Sequence, residues 1–189
     1  MKPLLRFEGV TLSRGGRLLF EGLGLKLGPG EALHLSGPNG SGKSSLIRLA
    51  AGLLRADLGH VERSALALAD DKLALDRELP LRRALAFWSR LSEGSDRLDE
   101  AIEALGLAPL ADIPVRLLST GQAKRAALAR VAAANVGLWL LDEPLNGLDK
   151  DSAGRLEQLV DAHRARGGAV LAASHGPLAG DWARLELGR

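Results

Sequence analysis

The chain has no cysteine and no tyrosine, and only three phenylalanines and three tryptophans stand among its 189 residues. Without cysteine there is no disulfide framework and no thiolate chemistry, which fits a reducing compartment. No segment approaches the roughly 20 apolar residues of a membrane-spanning helix. Residues 1–10 lack the apolar core of a signal peptide. If the protein works at a membrane, something other than a membrane-spanning segment of its own must therefore hold it there.

Positively and negatively charged residues nearly balance, and the formal net charge is only +2. There is no basic stripe of the kind that binds nucleic acid, so we expect no nucleic-acid partner. Apolar residues make up 46% and charged residues 25% of the chain, which is ordinary for a soluble globular protein. The length fits one domain over residues 1–189 with a substantial core.

Hydrophobic periodicity and turn residues predict an α/β chain. Strands are predicted at residues 4–12, 17–27, 31–36, 65–69, 138–141 and 169–174. Helices are predicted at residues 44–54, 81–91, 98–107, 121–135 and 152–166. The first two strands are expected to form an N-terminal antiparallel β segment. Prolines and glycines punctuate residues 73–117, which indicates a small helical subdomain inserted in the α/β body.

The first chemical motif is a glycine-rich loop between a predicted strand and a predicted helix. It reads Gly37-Pro38-Asn39-Gly40-Ser41-Gly42-Lys43-Ser44. Glycines let the backbone wrap phosphates with several N–H groups pointing inward. Lys43 is suited to neutralising the β- and γ-phosphates, and the Ser44 hydroxyl to ligating Mg²⁺. We count the next residue, Ser45, among the nucleotide-binding candidates.

Two acidic residues follow the apolar strand that begins at residue 138. Asp142, at the end of the strand, is placed to hold Mg²⁺, and Glu143 is placed to polarise the attacking water. General-base catalysis typically contributes ~10²–10⁴ in rate. His175 stands just past another strand, where an imidazole can hydrogen-bond a γ-phosphate. We expect the other histidines, at positions 34, 60 and 163, to be structural or to face solvent.

The pentapeptide Leu118-Ser119-Thr120-Gly121-Gln122 opens the predicted helix at 121–135. Its Ser-x-x-Gln pattern predicts a capping box. A helix start has free N–H groups and the positive end of the helix dipole, and both favour a phosphate. Taken alone, the pattern fits an ordinary capped surface helix equally well. Its position between the glycine-rich loop and the acidic pair favours phosphate binding.

Together these motifs resemble the ATP-binding subunits of ABC transporters, over essentially the whole chain. The resemblance implies a phosphate-loop ATPase fold, ATP and Mg²⁺ as ligands, and two copies that pair head to tail through ATP. The phosphate loop of one copy then faces Ser119, Thr120, Gly121 and Gln122 of the other. By the same resemblance Asp149 belongs to a loop at the contact between copies, and His175 is a switch histidine. Lys43, Glu143 and His175 become the catalytic candidates.

A narrower resemblance is to the haem-exporter ATPases of cytochrome c biogenesis. It is carried by Gly15-Gly16-Arg17 with Leu19-Phe20, by residues 138–144, and by Ala172-Ala173-Ser174-His175-Gly176-Pro177-Leu178. Residues 83–88 also resemble a stretch of that subfamily, although Arg83 and Ala84 depart from it. This resemblance implies partner permease subunits of the cytochrome c maturation system. It also implies a peripheral location on the cytoplasmic face of the inner membrane.

Three positions depart from the family pattern. Arg14 stands where an aromatic ring usually stacks on adenine, and a guanidinium plane is a possible substitute. Asp70-Asp71-Lys72 stands where a glutamine is expected to contact the metal and the attacking water. We hypothesise that Asp71 partly replaces that amide as a metal-contacting group and that turnover is slow. Thr120 stands where glycine or alanine is more usual.

Several alternative functions stay open at this point. One alternative is an ABC transporter ATPase for a cargo other than haem, such as an amino acid, a metal or a lipoprotein. A soluble ABC ATPase is another class, with iron–sulfur cluster assembly harder to exclude than DNA repair or translation. A nucleotide-binding subunit with little catalysis is a third, because the glutamine is missing.

Overall fold

The computed structural model describes residues 2–188. Within them the chain forms two compact units. The first comprises Met1–Leu68, Gly137–Glu143 and His163–Arg189, and the second comprises Ala69–Val136 and Pro144–Ala162. The second unit is larger than the predicted helical insert at 73–117. A single functional domain over residues 1–189 stays a prediction.

The observed elements follow the predicted order closely. The strands are β1 (Leu5–Arg14), β2 (Arg17–Leu27), β3 (Ala32–Ser36), β4 (Leu58–Arg63), β5 (Leu66–Ala69), β6 (Leu138–Asp142), β7 (Ala169–Ala173) and β8 (Ala183–Glu186). The helices are α1 (Lys43–Ala50), α2 (Leu81–Leu91), α3 (Leu98–Ala104), α4 (Thr120–Ala132) and α5 (Lys150–Ala165). The α/β class and the N-terminal β segment are therefore confirmed.

Two strands were absent from the sequence prediction. In β4 only one side chain, Val61, is even partly buried, so the strand shows no apolar alternation. β8 is short and mostly exposed. The helix predicted at 44–54 ends at Ala50, and the one predicted at 98–107 ends at Ala104. Within residues 2–188, no helix combines the length and the apolar character that crossing a membrane requires.

The first unit contains two sheets. β1 pairs antiparallel with β2 on one side and with β4 on the other. The second sheet has the order β5-β6-β7-β3-β8, with β6, β7, β3 and β8 paired in parallel. In parallel sheets of this kind, ligands bind at the carboxyl ends of the strands. The ends of β3, β6 and β7 lead into Gly37, Glu143 and Ser174.

The two sheets and α1 pack together around an apolar core. It contains Leu5, Phe7 and Val10 of β1, Leu46, Ile47 and Leu49 of α1, and alternate residues of β3, β6 and β7. Fully burying one such side chain contributes about 1.5–3 kcal/mol. Helix α1 is thus anchored by its apolar face, and residues 37–42 connect its N-terminus to the end of β3.

The second unit is mainly helical. α2, α3 and α4 pack against one another. Leu81, Leu85, Ile102, Leu105 and Leu107 are fully or almost fully buried. The Trp88 ring lies under the guanidinium of Arg130, 4.9 Å from its central carbon. The Phe87 side chain is 56% exposed.

Candidate functional site

The glycine-rich loop connects β3 to α1, as the sequence predicts. Gly37 has a φ of 137°, a left-handed-side conformation that favours glycine. A Cβ atom there would also collide with the main-chain oxygen of Leu187. The loop therefore needs glycine at its first position for both conformation and space.

The start of α1 is built to receive an anion. Its N-cap is Gly42, which offers no side-chain cap, and its first turn contains no acidic residue. The first N–H groups of a helix lack intrahelical partners and carry the positive end of the dipole. The Lys43 ammonium is held within the loop, donating to the carbonyl oxygens of Gly37 at 2.8 Å and Pro38 at 3.1 Å. The Ser41 hydroxyl is buried and has no hydrogen-bond partner among residues 2–188. An orphaned polar atom at this place fits a phosphate acceptor.

Ser44 and Asp142 form a pair of hard oxygen ligands. The Ser44 hydroxyl donates to a carboxylate oxygen of Asp142 at 3.1 Å, across 98 residues of sequence. Asp142 is buried at the end of β6. Mg²⁺ is usually bound by one or two protein oxygens together with substrate phosphates. The residues present therefore fit Mg²⁺.

Glu143 and His175 face each other at the ends of β6 and β7. The His175 Nε2 atom lies 3.3 Å from one carboxylate oxygen of Glu143. The His175 main-chain N–H donates to the other oxygen at 3.4 Å. The Glu143 N–H donates to the carbonyl of Ala173 at 2.8 Å. The two carboxylate oxygens are thus both oriented by the segment that follows β7.

A cleft of about 530 Å³ joins these groups. This volume lies in the range of small-molecule and cofactor pockets, roughly 300–1,000 Å³. The lining residues come from the β1–β2 hairpin, the phosphate loop and the ends of β6 and β7: Arg14, Gly15, Leu19, Asn39, Gly40, Gly42, Lys43, Ser44, Ser45, Glu143 and His175. Gly15 and Leu19 were not among the predicted site residues, because the sequence marked them only as part of the narrower resemblance and not as nucleotide-binding residues.

The capping box at the start of α4 is confirmed. The Ser119 hydroxyl accepts from the Gln122 N–H at 3.3 Å, and the Gln122 side chain accepts from the Ser119 N–H at 2.8 Å. Ser119 and Thr120 are exposed. A Cβ on Gly121 would lie 2.9 Å from the Gly147 carbonyl oxygen. Gly121 therefore lets the start of α4 pack tightly against the loop before α5.

Asp149 lies directly before α5. One of its carboxylate oxygens accepts from the Ser152 N–H at 2.8 Å, which is the geometry of an N-cap. Hydrogen bonds from Ser152 hold the pKa of Asp149 below its usual value, and Arg125 and Arg155 add to the effect. The side chain expected at a contact between copies is thus also a helix cap.

The two aspartates that follow β5, Asp70 and Asp71, have different surroundings. Asp70 accepts from the Lys72 N–H at 3.1 Å. It also raises the pKa of Arg130, against the stronger lowering that comes from burial. Asp71 is exposed. Its carboxylate is therefore open to solvent within the second unit.

The first unit brings together most of the predicted site. It holds Arg14, the phosphate loop, Asp142, Glu143 and His175, while Asp71, residues 119–122 and Asp149 belong to the second unit. His34 is buried and hydrogen-bonded to the Ser174 carbonyl, and His163 is buried and stacked on Trp139. His60 is exposed. The expectation for these three histidines agrees with their positions.

Known proteins resemble this chain in sequence and in fold. Residues 20–146 match the family described as ABC transporter. A cytochrome c biogenesis ATP-binding export protein CcmA of Sphingopyxis alaskensis is 54% identical over 95% of this chain and 93% of its own. A protein of the same description from Novosphingobium aromaticivorans is 57% identical over 90% of this chain and 87% of its own. A solved ATP-binding cassette, dimeric in a post-hydrolysis state with ADP and Pi, superposes with a TM-score of 0.80 at 21% identity, covering 91% of this chain and 88% of that one.

The fold and the site define an ATP-binding ATPase domain of the ABC type. More than half of the chain matches that family, and the identities with the curated relatives extend over nearly all of it. The chain belongs to the ABC transporter family and, within it, to the cytochrome c biogenesis ATP-binding export proteins CcmA.

Proposed function

We propose that this chain is the ATP-hydrolysing subunit of the haem exporter that serves c-type cytochrome biogenesis. The observation that carries the proposal is the cleft in which Lys43, Ser44, Glu143 and His175 converge. The high identity to proteins named for cytochrome c biogenesis supports the pathway. ATP hydrolysis then powers the membrane partner subunits.

Each residue of the first-unit site has a proposed part in phosphoryl transfer, which requires mainly positioning and charge stabilisation. Lys43 and the loop N–H groups bind the β- and γ-phosphates. Ser44 and Asp142 hold Mg²⁺, which supplies neutralisation of the phosphate oxygens when bound. Glu143 takes a proton from the attacking water. His175 donates to the γ-phosphate and orients Glu143.

The base of the nucleotide is proposed to lie against the β1–β2 hairpin. Arg14 and Leu19 line the cleft there. A guanidinium plane stacks on a purine without reading its exocyclic groups. Base selectivity should therefore be weak.

Asp71 is proposed to act in place of the missing glutamine. Its exposed carboxylate supports this role. A carboxylate beside the γ-phosphate adds negative charge, so we expect slow turnover. ATPase activity of Asp71→Ala checks the role: an unchanged rate removes Asp71 from the site.

A second copy of the chain is proposed to complete each site. The exposed Ser119 and Thr120 and the free N–H groups at the start of α4 are suited to a γ-phosphate. The solved cassette with ADP and Pi is dimeric, which supports a homodimer. Asp149 lies two residues after Gly147, whose carbonyl oxygen is next to Gly121, and it is proposed to lie at the same contact.

The membrane partners are proposed to be the permease subunits of the cytochrome c maturation system. The chain is then peripheral, on the cytoplasmic face of the inner membrane. Genomic neighbours encoding such permeases would support this assignment. Neighbours that encode a permease for another cargo would contradict it.

The decisive experiment is deletion of the gene, followed by an assay of membrane-bound c-type cytochromes. We expect their loss, restoration by the wild-type gene, and no restoration by Glu143→Gln. Normal cytochrome levels in the deletion strain would overturn the cytochrome c assignment and leave the ABC ATPase assignment standing.

A further inference from the structure

The buried histidine of β3 contacts the segment that carries His175. His34 is 4% exposed, and its Nε2 atom lies 3.2 Å from the carbonyl oxygen of Ser174. A carbonyl only accepts, so this hydrogen bond places the proton on Nε2. The neighbouring Leu35 carbonyl accepts from the Ser174 N–H at 3.3 Å. β3 therefore holds both main-chain polar groups of Ser174.

The peptide group that His34 holds is the one that binds the carboxylate of Glu143. The carbonyl of Ser174 and the N–H of His175 belong to one amide. That N–H donates to a carboxylate oxygen of Glu143 at 3.4 Å. His34, the amide and Glu143 thus form a continuous chain of two hydrogen bonds, all within the first unit.

We propose that His34 is a positioning residue for the general base, acting through the Ser174–His175 peptide to orient Glu143. The inference rests on the proposed catalytic role of Glu143. It assigns a part in the reaction to a side chain that touches neither nucleotide nor metal.

Two physical effects connect the hydrogen bond of His34 to the position of Glu143. The amide is planar, with its C=O and N–H pointing in opposite directions. A hydrogen bond that fixes the C=O therefore also fixes the direction of the N–H. Hydrogen bonds in series also polarise one another, so a donor on the carbonyl strengthens the N–H as a donor to the carboxylate. Without the imidazole, the Ser174–His175 peptide should rotate, and its N–H should bind the Glu143 carboxylate more weakly.

His163 provides a matched comparison within the same unit. It is 3% exposed, and its Nε2 atom also lies 3.2 Å from a main-chain carbonyl, that of Gly137. Gly137 directly precedes β6, so this contact lies at the end of the strand opposite Asp142. Removing His163 therefore reproduces the loss of a buried imidazole without touching the His175 peptide.

The test compares His34→Leu, His34→Gln and His163→Leu in steady-state ATPase assays, with thermal unfolding and ATP affinity measured on the same preparations. We expect His34→Leu to lower kcat about tenfold while KM and the Kd for ATP change less than about twofold, because positioning acts on the chemical step. The amide of His34→Gln can donate to Ser174, so kcat should largely recover. His163→Leu should lower Tm and keep kcat per folded protein.

The outcomes separate this proposal from the assignment of the base. An unchanged kcat in folded His34→Leu, or no recovery in a stable His34→Gln, overturns the positioning role alone. Glu143→Gln is measured in parallel. Wild-type turnover by that variant overturns both the base assignment and the positioning role, whereas an inactive Glu143→Gln beside an active His34→Leu overturns only the latter.

Discussion

At the scale of single residues, Glu143 is a proposed catalytic residue with a backbone conformation that few residues other than glycine adopt. Its φ is 47°, in the left-handed region, although it is not glycine. Such a conformation costs on the order of 1–3 kcal/mol and persists only where the surroundings hold it. Here the Ala173 carbonyl binds its N–H. In this conformation the Glu143 carboxylate contacts both the ring and the main-chain N–H of His175.

Glu143→Gln should separate ATP binding from hydrolysis. The amide keeps the shape of the side chain but does not accept a proton from water, so kcat should fall by about 10²–10⁴. The Kd for ATP should stay within a few-fold, and the protein should remain dimeric with ATP in size-exclusion chromatography. Glu103→Gln, an exposed position on α3, is the matched control. Full hydrolysis by Glu143→Gln would show that another group activates the water.

Arg14→Ala should weaken ATP and GTP to the same extent. If a guanidinium plane supports the base, its loss removes stacking worth about 1–3 kcal/mol, and the Kd for both nucleotides should rise five-fold or more. Lys26→Ala, an exposed position at the far end of the same hairpin, should change neither value. Strong discrimination between ATP and GTP in the wild-type protein would contradict base binding by Arg14.

At the scale of secondary-structure elements, the start of α4 depends on a reciprocal pair of hydrogen bonds between Ser119 and Gln122. Ser119→Ala should lower the free energy of unfolding by about 1 kcal/mol, as for other lost N-caps. Ser119→Thr keeps a hydroxyl at the cap and should lose much less. Urea titration measures both. Equal stability of Ser119→Ala and the wild-type protein would mean that the box does not stabilise α4.

The cap of α5 should make stability depend on acid. The pKa of Asp149 is lowered from 3.8, chiefly by hydrogen bonds from Ser152. The folded state therefore favours the ionised carboxylate. Its contribution is complete well above the ordinary pKa and is lost as pH falls through the lower, folded value.

Asp149→Asn isolates this contribution, because asparagine caps a helix without ionising. The wild-type protein should exceed the variant in stability at neutral pH, and the difference should shrink as the pH falls below 3.8, the ordinary pKa of the carboxyl. Urea unfolding at a series of pH values measures it. A difference that stays constant with pH would contradict the lowered pKa.

The elements with strong local signals were predictable from sequence, and those without were not. The glycine loop and the capping box are fixed by residues at short spacing, and both lie where expected. β4 and β8 carry mostly exposed side chains, so no alternation of apolar and polar residues identifies them as strands. The contact between His34 and Ser174 spans 140 residues. Only the parallel pairing of β3 with β7 brings these two residues together.

At the scale of the whole molecule, the proposed homodimer predicts how two variants behave alone and together. If the phosphate loop of one copy uses α4 of another, then Lys43→Ala and Thr120→Asp should each be inactive alone. The carboxylate added by Thr120→Asp suits the start of a helix but repels a phosphate there. Thr120→Asn is the neutral control and should retain activity.

Mixing the two inactive variants tests the assembly directly. A mixed dimer contains one intact site and one doubly damaged site. With random pairing, about a quarter of the wild-type ATPase activity should return if one intact site suffices. Undiminished activity of Thr120→Asp on its own would contradict completion of the site by a second copy.

The tryptophans give the molecule its own optical reporters. Trp139 is buried and stacked on the His163 ring, 3.9 Å between centroids, while Trp88 lies beneath a guanidinium in the other unit. Trp182 donates to the Ala179 carbonyl near the end of the chain. Because the chain contains no tyrosine, replacing Trp182 leaves one intrinsic fluorophore in each compact unit. Variants that keep only Trp139 or only Trp88 then report on one unit each during nucleotide binding, without any attached dye.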